Sequence, residues 1–133
     1  MMNRSIPPSD VIPVLVYGDL REAVEWLCRS FGFTERLRIF DHRVQLNVGS
    51  GHLVVSDGGP VVSSGHSIMV RVENIDGHCK RATDCGARIV NSPTDYPYGE
   101  RQYTAEDLGG HRWIFSESIA DVDPAEWGGV LVE

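Results

Sequence analysis

The stretch from Val14 to Phe33, VLVYGDLREAVEWLCRSFGF, decides the fold. An apolar run suited to a buried strand leads to Asp19, a favoured residue at a helix N-cap, and Glu22 follows at capping-box spacing. Apolar residues then recur every three or four positions, as on one face of a helix: Leu20, Ala23, Val24, Leu27 and Phe31. Gly32 ends the pattern. The stretch therefore predicts a strand followed by an amphipathic helix.

Three strand-like runs follow this helix, over residues 33–40, 43–48 and 52–56. Asp41-His42 and Gly49-Ser50-Gly51 supply the residue types of tight turns between them. The order strand, helix, strand, strand, strand defines a first β-α-β-β-β module over residues 10–57.

The same order begins again in the second half of the chain. A strand is predicted over residues 67–72, Asn74 is a helix N-cap, and a second apolar stripe ends at Gly86. Strands are then predicted over residues 88–90, 101–105 and 111–116, after a loop at residues 92–100 that is longer than its counterpart. The residues match Val14-Leu15-Val16 with Met69-Val70-Arg71, and residues 51–56 with residues 110–115.

The repeat predicts an α+β fold of two paired β-α-β-β-β modules, over residues 10–57 and 66–117, that together form one structural domain. Neither module is large enough to bury its own sheet, so we expect the two to pair into a curved mixed sheet around a cavity. Residues 57–65 are interpreted as the linker, and residues 118–133 as a C-terminal tail with one helical turn at residues 123–127.

Composition narrows the class of function. The 133 residues carry 12 basic and 19 acidic side chains, a net charge of −7, which argues against a nucleic-acid partner or an anionic membrane surface. No apolar run approaches the roughly 18 residues of a membrane span, and no secretion signal is recognised, so we expect a cytoplasmic protein. The three cysteines, Cys28, Cys79 and Cys85, are interpreted as reduced, buried thiols.

Two stretches resemble the glyoxalase/bleomycin-resistance/extradiol-dioxygenase, or vicinal oxygen chelate, superfamily. One runs from Gly18 to Phe33, and the other joins Tyr98-Gly99-Glu100-Arg101 to residues 106–113. The resemblance covers roughly residues 10 to 128 and implies the paired-module fold. It does not imply one activity, because this fold hosts metal-dependent isomerases and dioxygenases, thiol transferases and metal-free drug-binding proteins.

The resemblance also gives a test for a metal ion. Active enzymes of this superfamily hold the metal with His and Glu on the sheet, and the matching positions here are Ile12, Gln45, Ser67 and Ile114. Two aliphatic side chains, one amide and one hydroxyl make a poor set of ligands for a divalent ion. We therefore predict no metal and no other cofactor. A strand bulge that brings in His66, or a role for His111, is the alternative.

Strand alternation from these four positions predicts which residues face the cavity. The predicted set is Ile12, Val14, Val16, Arg43, Gln45, Asn47, Ser67, Met69, Arg71, Arg112, Ile114 and Ser116, while Trp113 and Phe115 face the helix as core. Tyr103, with Tyr96 and Tyr98, flanks the loop at residues 91–102, interpreted as a pocket mouth. The predicted ligand-binding residues are Gln45, Met69, Arg71, Tyr103 and Arg112; the arginines have the alternative of pairing with acids at the rim.

Two functions follow as hypotheses. The first is metal-independent binding of a small organic molecule in the sheet cavity, and the second is a lyase or isomerase of the same superfamily, with or without a metal ion. The residues name neither the ligand nor a catalytic group. We also expect a homodimer, because the superfamily commonly builds its cavity from two copies and because open sheet edges and Trp127 need cover.

Overall fold

The computed structural model describes residues 2–58 and 65–131. Most of the predicted linker, residues 59–64, lies outside the described residues, as do residues 132 and 133 at the end of the predicted tail. The chain divides into two compact units, one for each module, and each unit is described by itself.

The first unit is a four-stranded mixed sheet with one helix. Its strands lie in the order β1-β4-β3-β2, with β1 parallel to β4 and the other neighbours antiparallel. The elements in chain order are β1 (Val14–Val16), α1 (Leu20–Phe31), β2 (Thr34–Ile39), β3 (Arg43–Val48) and β4 (Gly51–Ser56).

Helix α1 begins and ends where the residue pattern predicts. The Asp19 side chain accepts a hydrogen bond from the Glu22 backbone N–H at 3.0 Å, and Gly32 ends the helix in the left-handed conformation with φ of 80°. The predicted apolar stripe is buried throughout. It packs on the face of the sheet that carries Val44, Leu46, Leu53 and Val55, which forms the core of the unit.

The second unit repeats this architecture, with strand order β5-β8-β7-β6 and β5 parallel to β8. Asn74 caps its helix by accepting the Gly77 N–H at 3.1 Å. The elements are β5 (Ile68–Arg71), α2 (Ile75–Asp84), β6 (Arg88–Tyr96), β7 (Glu100–Glu106), β8 (Arg112–Ser118) and a short 3-10 helix (Pro124–Trp127). The prediction of an α+β fold built from two such modules is confirmed, and so is the helical turn in the tail.

Two details of the sequence interpretation are wrong. Residues 92–96 belong to β6, so the predicted long loop shrinks to a turn at residues 97–99; β6 absorbs its extra residues in irregular pairing with β7. The matching of residues 51–56 with 110–115 is also one residue out of register. Val54 lies opposite Val14 and Ile114 lies opposite Met69, so Val54 corresponds to Ile114.

The register matters because a one-residue slip exchanges the two faces of a strand. In the observed register Trp113 corresponds to Leu53, and both are buried on the side of the sheet that carries the helix. The prediction that Trp113 and Phe115 are core residues is confirmed. None of the helices within the described residues is long and apolar enough to cross a membrane.

Candidate ligand site

Each sheet has one face covered by its helix and an opposite face, here called the open face. On the first sheet the register places Val14, Val54 and Gln45 in one row of the open face. This agrees with the predicted strand phase, because Ile12, Val14, Arg43 and Gln45 all line one pocket on that face.

The pocket has a volume of about 230 Å³. Its walls are mostly aliphatic, with one amide and one guanidinium group: Ser5, Ile6, Pro7, Ile12, Val14, Ile39, Arg43, Gln45 and Val54. Apolar walls with a few convergent polar groups are typical of sites for small organic molecules.

Residues 3–9, here called the strap, cross this open face and form one wall of the pocket. The Gln45 amide nitrogen donates to the Ser5 carbonyl oxygen at 2.8 Å, and Arg36 donates to the Arg4 carbonyl oxygen at 3.1 Å. The Ser9 hydroxyl lies 2.5 Å from Nδ1 of His52. Side chains of the sheet therefore hold the backbone of the strap.

Gln45 is only 2% exposed as a result. Its Oε1 accepts a hydrogen bond from Arg36, while its nitrogen binds the strap. Both ends of the amide are thus engaged by groups of its own chain. The sequence interpretation placed Gln45 among the cavity-facing, ligand-binding residues, and it did not foresee the strap that buries this side chain.

Among the described residues, no segment like the strap crosses the open face of the second sheet. Its middle row is Met69, Ile114 and Thr104, and Met69 is 60% exposed. The next row contains Arg71, Ser116 and Gln102. The structure therefore places Met69 and Arg71 on one open face, as predicted.

A hydrogen-bonded network links the polar residues of this face. Gln102 donates to the Ser116 hydroxyl at 3.0 Å, and that hydroxyl donates to Glu100 at 2.7 Å. Arg71 donates to the Ser118 hydroxyl at 2.8 Å. Hydrogen bonds from Ser118 and Ser116, with the charge of Arg71, hold the pKa of the Glu100 carboxyl below its usual range.

Aromatic rings border one end of this network. Tyr98 donates to Gln102 at 3.1 Å, and its ring stacks on Tyr96 with centroids 5.4 Å apart. Trp127 from the short 3-10 helix lies against Tyr98 at 5.3 Å, yet about half of its surface stays exposed. The tail thus packs on its own unit.

At the other end, Arg112 pairs with Glu106 at 3.3 Å, and Arg88 pairs with the same carboxylate at 2.5 Å. Arg88 and Arg112 lower the pKa of Glu106 by hydrogen bonding and by charge. Arg112 is therefore engaged by an acid at the rim, which is the alternative that the sequence left open for the arginines.

Tyr103 lies on the opposite side of the second sheet. Its ring stacks on Phe115 with centroids 5.1 Å apart, and its hydroxyl lies 2.5 Å from Nδ1 of His78 on α2. Burial, with a smaller effect of Cys79, raises the pKa of the Tyr103 hydroxyl well above its usual value. Tyr103 is thus not brought together with Met69, Arg71 and Arg112, and the pocket-mouth interpretation placed it on the wrong face.

The four positions that the superfamily uses for a metal do not fit one in this chain. Ile12 and Ile114 offer no donor atom, and the Gln45 amide is already engaged by Arg36 and Ser5. Ser67 precedes β5 and contributes only a hydroxyl. Within residues 2–58 and 65–131 no three His, Cys, Asp or Glu side chains are grouped to hold a metal ion, although the rings of His66 and His111 lie 6.1 Å apart.

The sequence did not reveal the contact of Arg36 with Gln45, the hydrogen-bonded network around Glu100, or the strap. The strap carried a signal in its two prolines, which favour an extended chain, but nothing in the residues says which surface an extended segment crosses. Arg36 sits at a register shift in β2, and such bulges redirect side chains without any residue marker.

Comparison with known proteins agrees with this architecture. The model of the Glyoxalase/Bleomycin resistance protein/Dioxygenase superfamily matches residues 11–115. The chain is 36% identical to TioX from Micromonospora sp. ML1, whose crystal structure it matches with a TM-score of 0.71 over 86% of this chain and 100% of that one.

Two further matches are more distant in sequence. An uncharacterized protein of Mycobacterium bovis is 23% identical, over 86% of both chains. The genomically encoded fosfomycin resistance protein FosX of Listeria monocytogenes shares the fold with a TM-score of 0.70 at 12% identity, over 84% of this chain and 94% of that one. The chain belongs to the Glyoxalase/Bleomycin resistance protein/Dioxygenase superfamily.

Proposed function

We propose that this protein binds a small, largely apolar organic molecule on the open faces of its sheets without using a metal ion. The observation that carries the proposal is the pocket on the first sheet, where aliphatic side chains surround Gln45 and Arg43. Such a site gains affinity from burying apolar surface and specificity from the few polar groups.

The second open face supports the same proposal with a different surface. Met69 presents an exposed, adaptable thioether next to the Arg71, Ser116 and Gln102 row. Arg71 and, further along, Arg112 supply guanidinium groups that suit oxygen acceptors. We include Gln45, Met69, Arg71 and Arg112 in the proposed binding surfaces. For Tyr103 we propose an indirect role, because it supports the sheet from the helix side.

Binding can be tested by screening apolar compounds for those that raise the melting temperature of the protein. A ligand present at about 100 times its dissociation constant adds about 2.7 kcal/mol of stability. Val14→Glu places a charge in the pocket wall and should abolish the effect of a ligand that binds there. Val11→Glu is the matched control, because Val11 is exposed and is not among the pocket residues.

Independence from metal needs its own measurement. Purified protein should contain far less than one equivalent of zinc, nickel, manganese or iron by mass spectrometry, and a chelator should leave ligand binding unchanged. Near-stoichiometric metal held through His66 would overturn this part of the proposal.

A lyase or isomerase is the second candidate, and the network around Glu100 favours it. The Glu100 carboxylate accepts a hydrogen bond from Ser116, lies near Arg71 and has a lowered pKa, so on this open face it can orient a substrate or stabilise positive charge that develops during a reaction. Under this candidate Glu100→Gln abolishes turnover of a bound compound while leaving its affinity within a few fold. If Glu100→Gln retains full turnover, or if no bound compound is converted, this candidate fails.

We further propose a cytoplasmic homodimer. Exposed Met69 and half-exposed Trp127, together with the edge strands of both sheets, support a second copy as cover. Sedimentation at micromolar concentrations should give twice the chain mass of 14.7 kDa, and a monomer would contradict the dimer.

A further inference from the structure

We propose that the strap is a built-in occupant of the first open face, and that this face binds apolar molecules whose carbonyl oxygens replace those of Arg4 and Ser5. This inference rests on the proposed function, since it names the class of ligand for one of its faces. It adds that such a ligand enters by displacing a segment of the same chain.

The polar contacts define what the face recognises. Gln45 donates from its amide nitrogen to the Ser5 carbonyl, and Arg36 donates to the Arg4 carbonyl. Arg36 also donates to Gln45 Oε1, which fixes the amide with its nitrogen toward the strap. Both groups that meet the backbone carbonyls of Arg4 and Ser5 are therefore hydrogen-bond donors, and a ligand in the same place has to offer acceptors.

The apolar contacts define the body of the ligand. Pro7 is buried and lines the pocket with Ile12, Val14 and Val54, whereas the adjacent Pro8 is exposed. Pro7 thus occupies apolar surface that a ligand can also use. A ligand with an acyl group linked to a compact apolar ring has the same order of groups as the strap has from the Ser5 carbonyl to the Pro7 ring.

The strap is suited to displacement because side chains hold it to the sheet and it is not itself a strand of that sheet. These side chains are those of Gln45, Arg36 and His52. A ligand can bind only the molecules in which the strap is released, so its apparent affinity is reduced by that fraction. Loosening the strap enlarges the fraction and raises the apparent affinity in proportion.

Two neighbouring prolines give a matched pair of variants in the full chain. Pro7→Ser removes the buried apolar contact, and Pro8→Ser makes the same chemical change at the exposed position. The first readout is the rate at which trypsin cleaves the chain after Arg4, whose carbonyl oxygen accepts a hydrogen bond from Arg36 on the sheet, followed by mass spectrometry. We expect Pro7→Ser to raise this cleavage rate about tenfold, and Pro8→Ser to leave it within about twofold of the parent chain.

The second readout is the affinity for N-acetyl-isoleucyl-prolinamide, measured by calorimetry. Its acetyl carbonyl stands for that of Ser5, and its proline ring stands for Pro7. We expect Pro7→Ser to bind the probe about tenfold more tightly than the parent chain, because more molecules have a vacant face. Adding Gln45→Leu to Pro7→Ser should abolish this gain; circular dichroism of the double variant checks that it is folded.

The outcomes are separate from those of the proposed function. An unchanged rate of cleavage after Arg4 in Pro7→Ser overturns the strap as a held occupant, whatever the compound screen finds. Faster cleavage without tighter probe binding overturns the carbonyl recognition. A third outcome is that the screen finds no ligand for the parent chain, while Pro7→Ser binds the probe and loses this binding when Gln45→Leu is added. The strap is then confirmed as a displaceable occupant, and the function proposed for the parent chain fails.

Discussion

The two modules share one architecture but differ in what covers the open face of each sheet. On the first sheet the strap crosses the row of Val14, Val54 and Gln45; Val54 and Gln45 are buried, and Val14 is half-exposed. On the second sheet the corresponding row of Met69, Ile114 and Thr104 is half-buried to exposed. Val54 and Gln45 are therefore more buried than their counterparts Ile114 and Thr104, while Val14 and Met69 are exposed in both copies.

The helix-facing sides of the two sheets should behave alike, and the largest effect is expected there. Trp113→Ala should destabilise the protein by about 3–5 kcal/mol, because it empties a fully buried site, and Leu53→Ala at the matching position should cost about 2–5 kcal/mol. For a domain of this size the melting temperature should fall by well over about 5 °C. Trp113→Phe is the control, since it keeps a ring but loses the hydrogen bond from the indole nitrogen to Asp107.

A mild effect of Trp113→Ala would mean that the faces of the second sheet are exchanged. The placement of Met69 and Arg71 on the open face would then be wrong as well, because both depend on the same register.

The turns at Gly49 and Gly99 give the next comparison. Both glycines have positive φ, but a Cβ at Gly99 would overlap the Ala120 carbonyl oxygen, whereas a Cβ at Gly49 would meet nothing within 4 Å. Gly49→Ala should destabilise the protein by roughly 1–2 kcal/mol, the cost of placing alanine in the left-handed conformation. Gly99→Ala should destabilise it clearly more, because its methyl group also overlaps the Ala120 carbonyl oxygen. Chemical denaturation measures the free energy of unfolding of both variants. Equal losses would show that the backbone at residue 120 moves away from the new methyl group without an energetic cost.

Gln45 and Thr104 occupy matching positions on the two open faces and test the cover directly. Gln45→Ala should cost about 1–3 kcal/mol, because Arg36 and the Ser5 carbonyl lose a buried partner. Thr104→Ala and Arg71→Ala should change stability by less than about 0.5 kcal/mol, the usual range for surface positions. If Gln45→Ala is as mild as Thr104→Ala in thermal unfolding, the strap does not cover the first face in solution.

The smallest expected effect concerns the ion pairs at the rim of the second face. Arg88 and Arg112 lower the pKa of Glu106 in the folded protein, so its ionised form adds stability above the pKa of the unfolded chain. That stability is lost as the pH falls through the lowered pKa. Glu106→Gln should therefore lower the melting temperature slightly at pH 7 and not at about pH 3. A deficit that persists in acid would point to packing instead of charge.

The residues predicted the elements well because each had a local cause. Asp19 and Asn74 cap their helices, Gly32 ends the first helix, and the apolar stripes are spaced for one helical face. The open-face phase of Gln45, Met69 and Arg71 followed from the positions that the superfamily resemblance implies, extended by alternation along short strands. Prediction failed where a longer-range choice was involved, as in the extension of β6 to Tyr96 and the face occupied by Tyr103.

The amino-acid sequence by itself determined the two modules, the burial of Trp113 and the poor fit of Ile12 and Ile114 to a metal site. These properties depend on periodicity and on the chemistry of single side chains, which are local. Only the tertiary structure decided that residues 3–9 lie across the first open face, that Arg36 turns toward Gln45, and that Glu100 joins the network of Ser116. Those contacts join residues distant in the chain, and their partners are chosen by the folded surfaces that meet.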